Sequence, residues 1–261
     1  MPRAPLRILE TPDAVGEHVA ARILRDIAEA ARDGRRFVLG LPTGRTPRPV
    51  YAAMTRMLVA APQSLQHVTL AMMDEYLIET SGAFVYAMAA GAPSCHAFTR
   101  TEIVGPINDA LPIEFRLPVN RVWFPDPRNP AAYDDAIAAA GGIDFFLVAS
   151  GAGDGHVAFN PPGSSLESRS RIVTLSEQTR RDNLVTFPAL GSLGNVPHFG
   201  VTVGIATITA SRAATMVAWG DGKRVTVERM RVADRYDSEW PATLIHECAN
   251  AEIIVDNAAA N

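Results

Sequence analysis

Short, nearly uninterrupted apolar runs recur along this chain, with segments of helical spacing between them. Arg36-Phe37-Val38-Leu39-Gly40-Leu41, His67-Val68-Thr69-Leu70-Ala71-Met72 and Ile143–Ala149 are three such runs. A strand that is apolar on both faces must be covered on both faces, which is the condition of a mainly parallel sheet inside layers of helix. The same pattern predicts strands at Asn120–Phe124, Val201–Val203, Ala214–Trp219 and Glu252–Val255. Helices are predicted at 12–33, 47–59, 130–140, 174–184, 206–210, 222–232 and 241–249.

This alternation gives the expected fold: α/β, a Rossmann-like, mainly parallel sheet with helices on both faces, in a single domain over 1–261. Nothing reads as a linker or an internal repeat, and 48% hydrophobic residues in 261 suffice for one sizeable core. The stretch 78–118 fits the pattern least, and its Ala- and Gly-rich part, 87–93, is expected to form a mobile flap. A net charge of −4 argues against nucleic acid as the main partner. Two cysteines, 153 positions apart, imply neither a disulfide framework nor a zinc site. With no signal-like or membrane-length apolar run, the expectation is a soluble, cytoplasmic protein without membrane association, cofactor or metal.

In open α/β sheets ligands bind beyond the carboxyl ends of the strands, and three polar motifs fall at such ends. Leu41-Pro42-Thr43-Gly44-Arg45-Thr46-Pro47 joins a strand to a helix. Its glycine, hydroxyls and helix start suit a phosphate, with Arg45 able to add a bidentate contact. It is equally a strand-to-helix turn with a threonine cap. Met73-Asp74-Glu75-Tyr76 places two carboxylates after another strand, as a general base and its neighbour or as solvated acids opening a loop. Gly151-Ala152-Gly153-Asp154-Gly155-His156-Val157-Ala158-Phe159-Asn160 supplies a carboxylate and a proton-transfer group in one Gly-rich loop. Each motif has a structural reading; their coincidence at the ends of one sheet favours a common site.

These three motifs resemble the signature segments of the glucosamine-6-phosphate deaminase/isomerase family, within the superfamily shared with 6-phosphogluconolactonases. The resemblance continues through Ser164–Arg171, Leu175–Arg180, Thr202–Ile208, Gly222-Lys223 and Pro241–His246. It implies ring opening of a 2-amino-2-deoxy sugar phosphate, proton transfer from C2 to C1, and release of ammonia, a hydrolase-class reaction of carbohydrate metabolism. By resemblance Asp74 takes the C2 proton, His156 handles the ring-opening proton, and Asp154 is its charged partner. Thr43, Gly44, Arg45, Thr46 and Lys223 hold the phosphate, with Glu75 and Asn160 as further candidates. By itself Lys223 reads equally as a surface lysine in a first helical turn. Cys95 and His96 are either pocket or structural residues.

Three departures stand out. Arg45 occupies a position where the family has glycine. Pro161 replaces the glutamate that accompanies the acid–histidine group, and Val185 falls where a phosphate-clamping arginine is expected. Arg45 is expected to make up for that last loss. Without the glutamate, His156 also suits a general base for water, so a sugar-lactone hydrolase is the alternative. A weakly catalytic sugar-phosphate sensor is the third reading. The expected partner is a small-molecule sugar phosphate, and the expected assembly a monomer or small homo-oligomer. The allosterically regulated members carry basic residues after the segment matching Ser164–Arg171, where Val173 here follows Ile172, and a C-terminal extension, where this sequence stops at Asn261, so that kind of control is not expected.

Overall fold

The structure is a computed structural model describing residues 3–87 and 94–261. Among these residues the main sheet is built from β1 (Leu6–Leu9), β2 (Phe37–Leu41), β3 (Val68–Met72), β6 (Val122–Trp123), β7 (Phe145–Ala149), β10 (Ala214–Ala218) and β11 (Ala251–Asp256). Its order is β1-β11-β10-β7-β2-β3-β6, and every neighbouring pair is parallel. A smaller antiparallel sheet has the order β5-β4-β9-β8, formed by β4 (Asp74–Thr80), β5 (Ala83–Tyr86), β8 (Arg171–Thr174) and β9 (Phe199–Thr202). The helices that matter here are α1 (Pro12–Arg32), α2 (Arg48–Ala60), α3 (Cys95–Phe98), α4 (Gly105–Asp109), α5 (Ala131–Ala139), α6 (Glu177–Thr186), α7 (Ile205–Thr209) and α8 (Arg224–Val232). A π-type segment, Thr99–Val104, joins α3 to α4.

The continuous apolar strands are explained by what covers them. Successive side chains of a strand point to opposite faces. Phe37, Leu39, Leu41, Phe145 and Leu147 pack with Val19, Ile23 and Ile27 of α1 and Met54 and Leu58 of α2. Val38, Phe146 and Val148 pack on the other face with Ile137 of α5, Ile208 of α7 and Met230 of α8. Removing both faces from water is what lets so short a sheet form a stable core, at roughly 25 cal/mol per Å² of apolar surface.

The second sheet corrects the expected organisation. Val201–Val203 does not extend the main series, because β9 lies antiparallel between β4 and β8. Met73 is where pairing passes between the sheets: its N–H donates to Leu41 O (3.3 Å) and its carbonyl accepts from Val203 N (2.8 Å). Asp74-Glu75-Tyr76 therefore opens a buried strand rather than a loop. The 241–249 helix is a tighter 3₁₀ element, Pro241–Glu247. In the stretch 78–118 lie the end of β4, β5 and the α3–α4 region, and all of the expected flap except Ala87 lies outside the described residues. No helix among the described residues is long and apolar enough to cross a membrane.

Candidate active site

The loop after β2 is shaped for an anion. Gly44 has φ of +100°, a left-handed conformation that a side chain would strain. The loop ends at the start of α2, where the helix dipole favours negative charge, although the first-turn amides are absent or spent: Pro47 and Pro49 carry no N–H, Arg48 N donates to Arg45 O (3.2 Å) and Val50 N to Pro47 O (2.9 Å). Trp219 Nε1 donates to Thr46 O (2.7 Å), pinning the loop across to the end of β10. Arg45 is exposed, and among the described residues its side chain makes no hydrogen bond or ion pair.

Asp74 stands where β3 hands over to β4, and is only 5% exposed. Burial disfavours its charged form and raises its pKa to about 7; Glu75 adds to the rise, while a hydrogen bond from Cys95 and the proximity of His156 oppose it. Glu75 is fully buried, but it turns away from the cleft. Its Oε1 accepts from Tyr76 N (2.7 Å) and Cys95 N (2.9 Å), and its Oε2 from His96 N (2.8 Å). The His96 ring, stacked on Phe124 at 3.6 Å, shares its Nδ1 proton with the same Oε2 (2.5 Å). Glu75 thus fastens the start of α3 to β4.

The loop after β7 holds the acid–histidine pair. Asp154 Oδ1 bonds to His156 Nδ1 at 2.6 Å and accepts His156 N at 3.1 Å, while Ser176 Oγ donates to Oδ2 at 3.0 Å. Burial works against the Asp154 carboxylate, but its bonds to His156 and Ser176 prevail and lower its pKa. Gly151 is required by this packing: a Cβ there would lie 2.2 Å from His156 Nδ1 and 2.9 Å from Asp154 Oδ1. Lys223, between Gly220 and α8, donates to Ser150 O at the end of β7. Burial lowers its pKa to about 8, against the opposing pull of Asp182 and Asp154.

These groups converge. A cleft of about 300 Å³ at the carboxyl ends of β2, β3, β7 and β10 is lined by Thr43, Gly44, Arg45, Thr46, Asp74, His156 and Lys223. Asp154 lies directly behind His156. Asn160 does not line it: fully buried, its Nδ2 donates to Val157 O (3.0 Å) and Val203 O (2.8 Å), and its Oδ1 accepts from Arg171 (2.8 Å). Pro161 and Val185 also lie off the cleft wall. The side of α6 that faces the cleft presents Asp182, Asn183 and Thr186, which the sequence did not single out. Among the described residues Asn183 Nδ2 is buried with no hydrogen-bond partner. Only the placement of α6 over the strand ends reveals these three, since they lie beyond the Leu175–Arg180 motif and belong to no other. Among the described residues no cluster of three or more His, Cys, Asp or Glu side chains is arranged to hold a metal ion.

Fold and site together define an α/β protein in which a buried aspartate, a carboxylate-bonded histidine, a lysine and the Thr43–Thr46 loop share one cleft at the carboxyl ends of a parallel sheet. Residues 10–255 match the model of the family described as glucosamine-6-phosphate isomerases/6-phosphogluconolactonase. The chain belongs to this family. A glucosamine-6-phosphate deaminase of Beutenbergia cavernae is 34% identical, over 98% of this chain and 92% of that protein. One from Streptomyces avermitilis is 35% identical over 86% of this chain and 80% of that protein. Among solved structures, a monomeric glucosamine-6-phosphate deaminase superposes with a TM-score of 0.80 at 28% identity, over 98% of both chains. The 6-phosphogluconolactonase of Trypanosoma brucei, at 18% identity and a TM-score of 0.68 over 100% of this chain and 98% of that one, shares the fold.

Proposed function

We propose that this chain is a glucosamine-6-phosphate deaminase/isomerase, converting a hexosamine 6-phosphate and water into a ketose 6-phosphate and ammonia. One observation carries the reading. A buried carboxylate with a pKa near neutrality and a carboxylate-supported histidine line one cleft with an anion-binding loop. Opening the sugar ring needs a proton at the ring oxygen, which His156, held by Asp154, is placed to deliver. Moving the C2 proton to C1 needs a base that is ionised yet poorly solvated, which suits Asp74. The resulting C2 imine takes up water and releases ammonia. The phosphate sits against the Thr43–Thr46 loop and the start of α2, with Lys223 and Arg45 supplying positive charge. Purified protein given glucosamine 6-phosphate is expected to yield ammonia and fructose 6-phosphate in equal amounts. Absence of both from every aminosugar phosphate tried overturns the reading.

The alternative, hydrolysis of a phosphogluconolactone with His156 as base for water, has one observation in its favour. Asp154 is the sole carboxylate bonded to the His156 ring among the described residues. Acid release above the spontaneous rate distinguishes it.

Two predictions belong to the site itself. Arg45→Ala is expected to raise KM about 10- to 100-fold, the worth of a charge-assisted hydrogen bond or two, with kcat changing less. A KM equal to that of the parent means Arg45 does not reach the phosphate. The second concerns pH. Asp74 must be ionised and Lys223 protonated, so kcat/KM should fall below about pH 7 and again above about pH 8. A profile flat from pH 5 to 9 removes both groups from their assigned roles.

A further inference from the structure

We propose that Cys95 is a positioning residue for the catalytic base: its thiol donates to Asp74 Oδ1 and accepts the Thr43 hydroxyl proton, so the anion loop and the base are joined through sulfur. The inference rests on the deaminase reading for its kinetic consequence, but its structural content stands apart from turnover.

The geometry is specific. Cys95 Sγ lies 3.2 Å from Asp74 Oδ1, and Thr43 Oγ1 lies 3.4 Å from Cys95 Sγ. The three residues come from three places: the loop after β2, the start of β4 and the first turn of α3. Cys95 is 1% exposed, so water does not compete for the thiol. Its backbone is held independently by Glu75 Oε1, and Ser94 Oγ caps the same turn by accepting from Ala97 N (3.0 Å). The sulfur is therefore carried to Asp74 by a frame that does not depend on the thiol contact.

Direction follows from donor chemistry. Burial and the neighbouring carboxylates of Asp74 and Glu75 push the Cys95 thiol pKa well up, so it keeps its proton. A protonated thiol beside a carboxylate donates to it. Among the described residues Oδ2 of Asp74 has no such bond and is the oxygen left for the substrate proton. The other titratable groups facing Asp74 are Glu75 and Tyr76 on its own strand, His156 from the loop after β7, Tyr51 from α2 and Tyr133 from α5. Burial raises all three tyrosines, which stay neutral. Of these neighbours, the thiol is the one that stabilises the Asp74 anion by a direct hydrogen bond. Thr43 lines the cleft, so a ligand that draws its hydroxyl away also changes how the thiol is held.

Two measurements test this. The infrared S–H band of the Cys248→Ala protein reports Cys95 alone and needs no substrate. It is expected at the low frequency of a strongly donating thiol, moving up when Asp74 is protonated below about pH 7 or replaced by Asn. A band that ignores both changes overturns the proposal. In the kinetic arm, Cys95→Ala should move the acid limb of kcat/KM up by about one pH unit, the effect of losing one hydrogen bond to a charged group. Cys95→Ser, which keeps a donor, should bring the limb most of the way back. An unmoved limb in a folded Cys95→Ala protein, or one that Cys95→Ser does not restore, overturns it. If no aminosugar phosphate turns over, the deaminase reading fails while the infrared result still decides the thiol contact.

Discussion

Asp74→Asn is expected to lower kcat/KM for glucosamine 6-phosphate by about 100- to 10,000-fold, the usual worth of a positioned general base. The shape of the site is retained, because Asn keeps an oxygen for the Cys95 thiol. KM should therefore change little, which separates loss of chemistry from loss of binding. Stability should move the other way. A carboxylate whose pKa is raised on folding binds a proton more tightly in the folded state, so stability falls as pH rises from its unfolded value to about 7. Above that the whole cost is present, on the order of 4 kcal/mol for a shift of about three units. Removing the charge should raise Tm, and by more at pH 8 than at pH 5. Thermal unfolding at the two pH values measures this directly. An active Asp74→Asn enzyme, or a Tm difference independent of pH, shows that Asp74 is not the buried base.

Why Asp74 is buried could not be read from its neighbours in sequence. The run after Met72 is charged and short, and suggests a loop. It is a strand because Val201 and Thr202, more than a hundred residues later, pair with Glu75 and Asp74. One local signal was present in the sequence but was not used. Ser81 and Gly82 have φ of +52° and +78°, the two positive values of a type I′ hairpin turn, and Ser-Gly is a dipeptide that marks turns. Thr80 pairs with Ala83 across that turn. Most of the main sheet was legible because its central strands declare themselves alone, as in Phe37–Leu41 or Phe145–Ala149; the edge strand β1, Leu6–Leu9, which carries no fully buried residue, was not predicted. The second sheet depends on distant partners and half-buried strands such as Arg171–Thr174, whose composition is ambiguous.

The site shows the same division. Residues on strand-end loops with unusual glycine content, the Thr43–Thr46 loop and the Asp154–His156 loop, were read together and line or back one cleft. Asp182, Asn183 and Thr186 were not, because they reach the cleft by the way α6 is laid over the sheet. Glu75 and Asn160 lay within recognisable motifs, yet their polar atoms are spent on the protein itself. A motif marks where the chain must keep a geometry; whether a given side chain meets the ligand or holds the backbone is decided by which way it points.

Asn160 provides the strongest test of that distinction, and Asn160→Leu is expected to destabilise the fold by about 3–5 kcal/mol, as buried partners left unpaired each cost about 1–3 kcal/mol. Leucine has nearly the same size, so little of the effect comes from a cavity. What is lost is the pair of bonds to Val157 O and Val203 O and the acceptor for Arg171, whose guanidinium is itself half-buried. These bonds tie the His156 loop to the end of β9, where Val203 N also meets Met73 O. They also hold Ala158 at φ +52°, a left-handed conformation that costs an alanine on the order of 1 kcal/mol. Tm should fall by roughly 10 °C, taking about 2–4 °C per kcal/mol for a chain of this size. Asn160→Asp should also be destabilising at neutral pH, because an ionised carboxylate faces two carbonyl oxygens without a proton to donate. Hydrogen exchange should quicken first at Gly151–Phe159, before the main sheet. If Asn160→Leu instead keeps its Tm and loses only substrate binding, Asn160 belongs to the cleft and its bonds to the backbone are incidental.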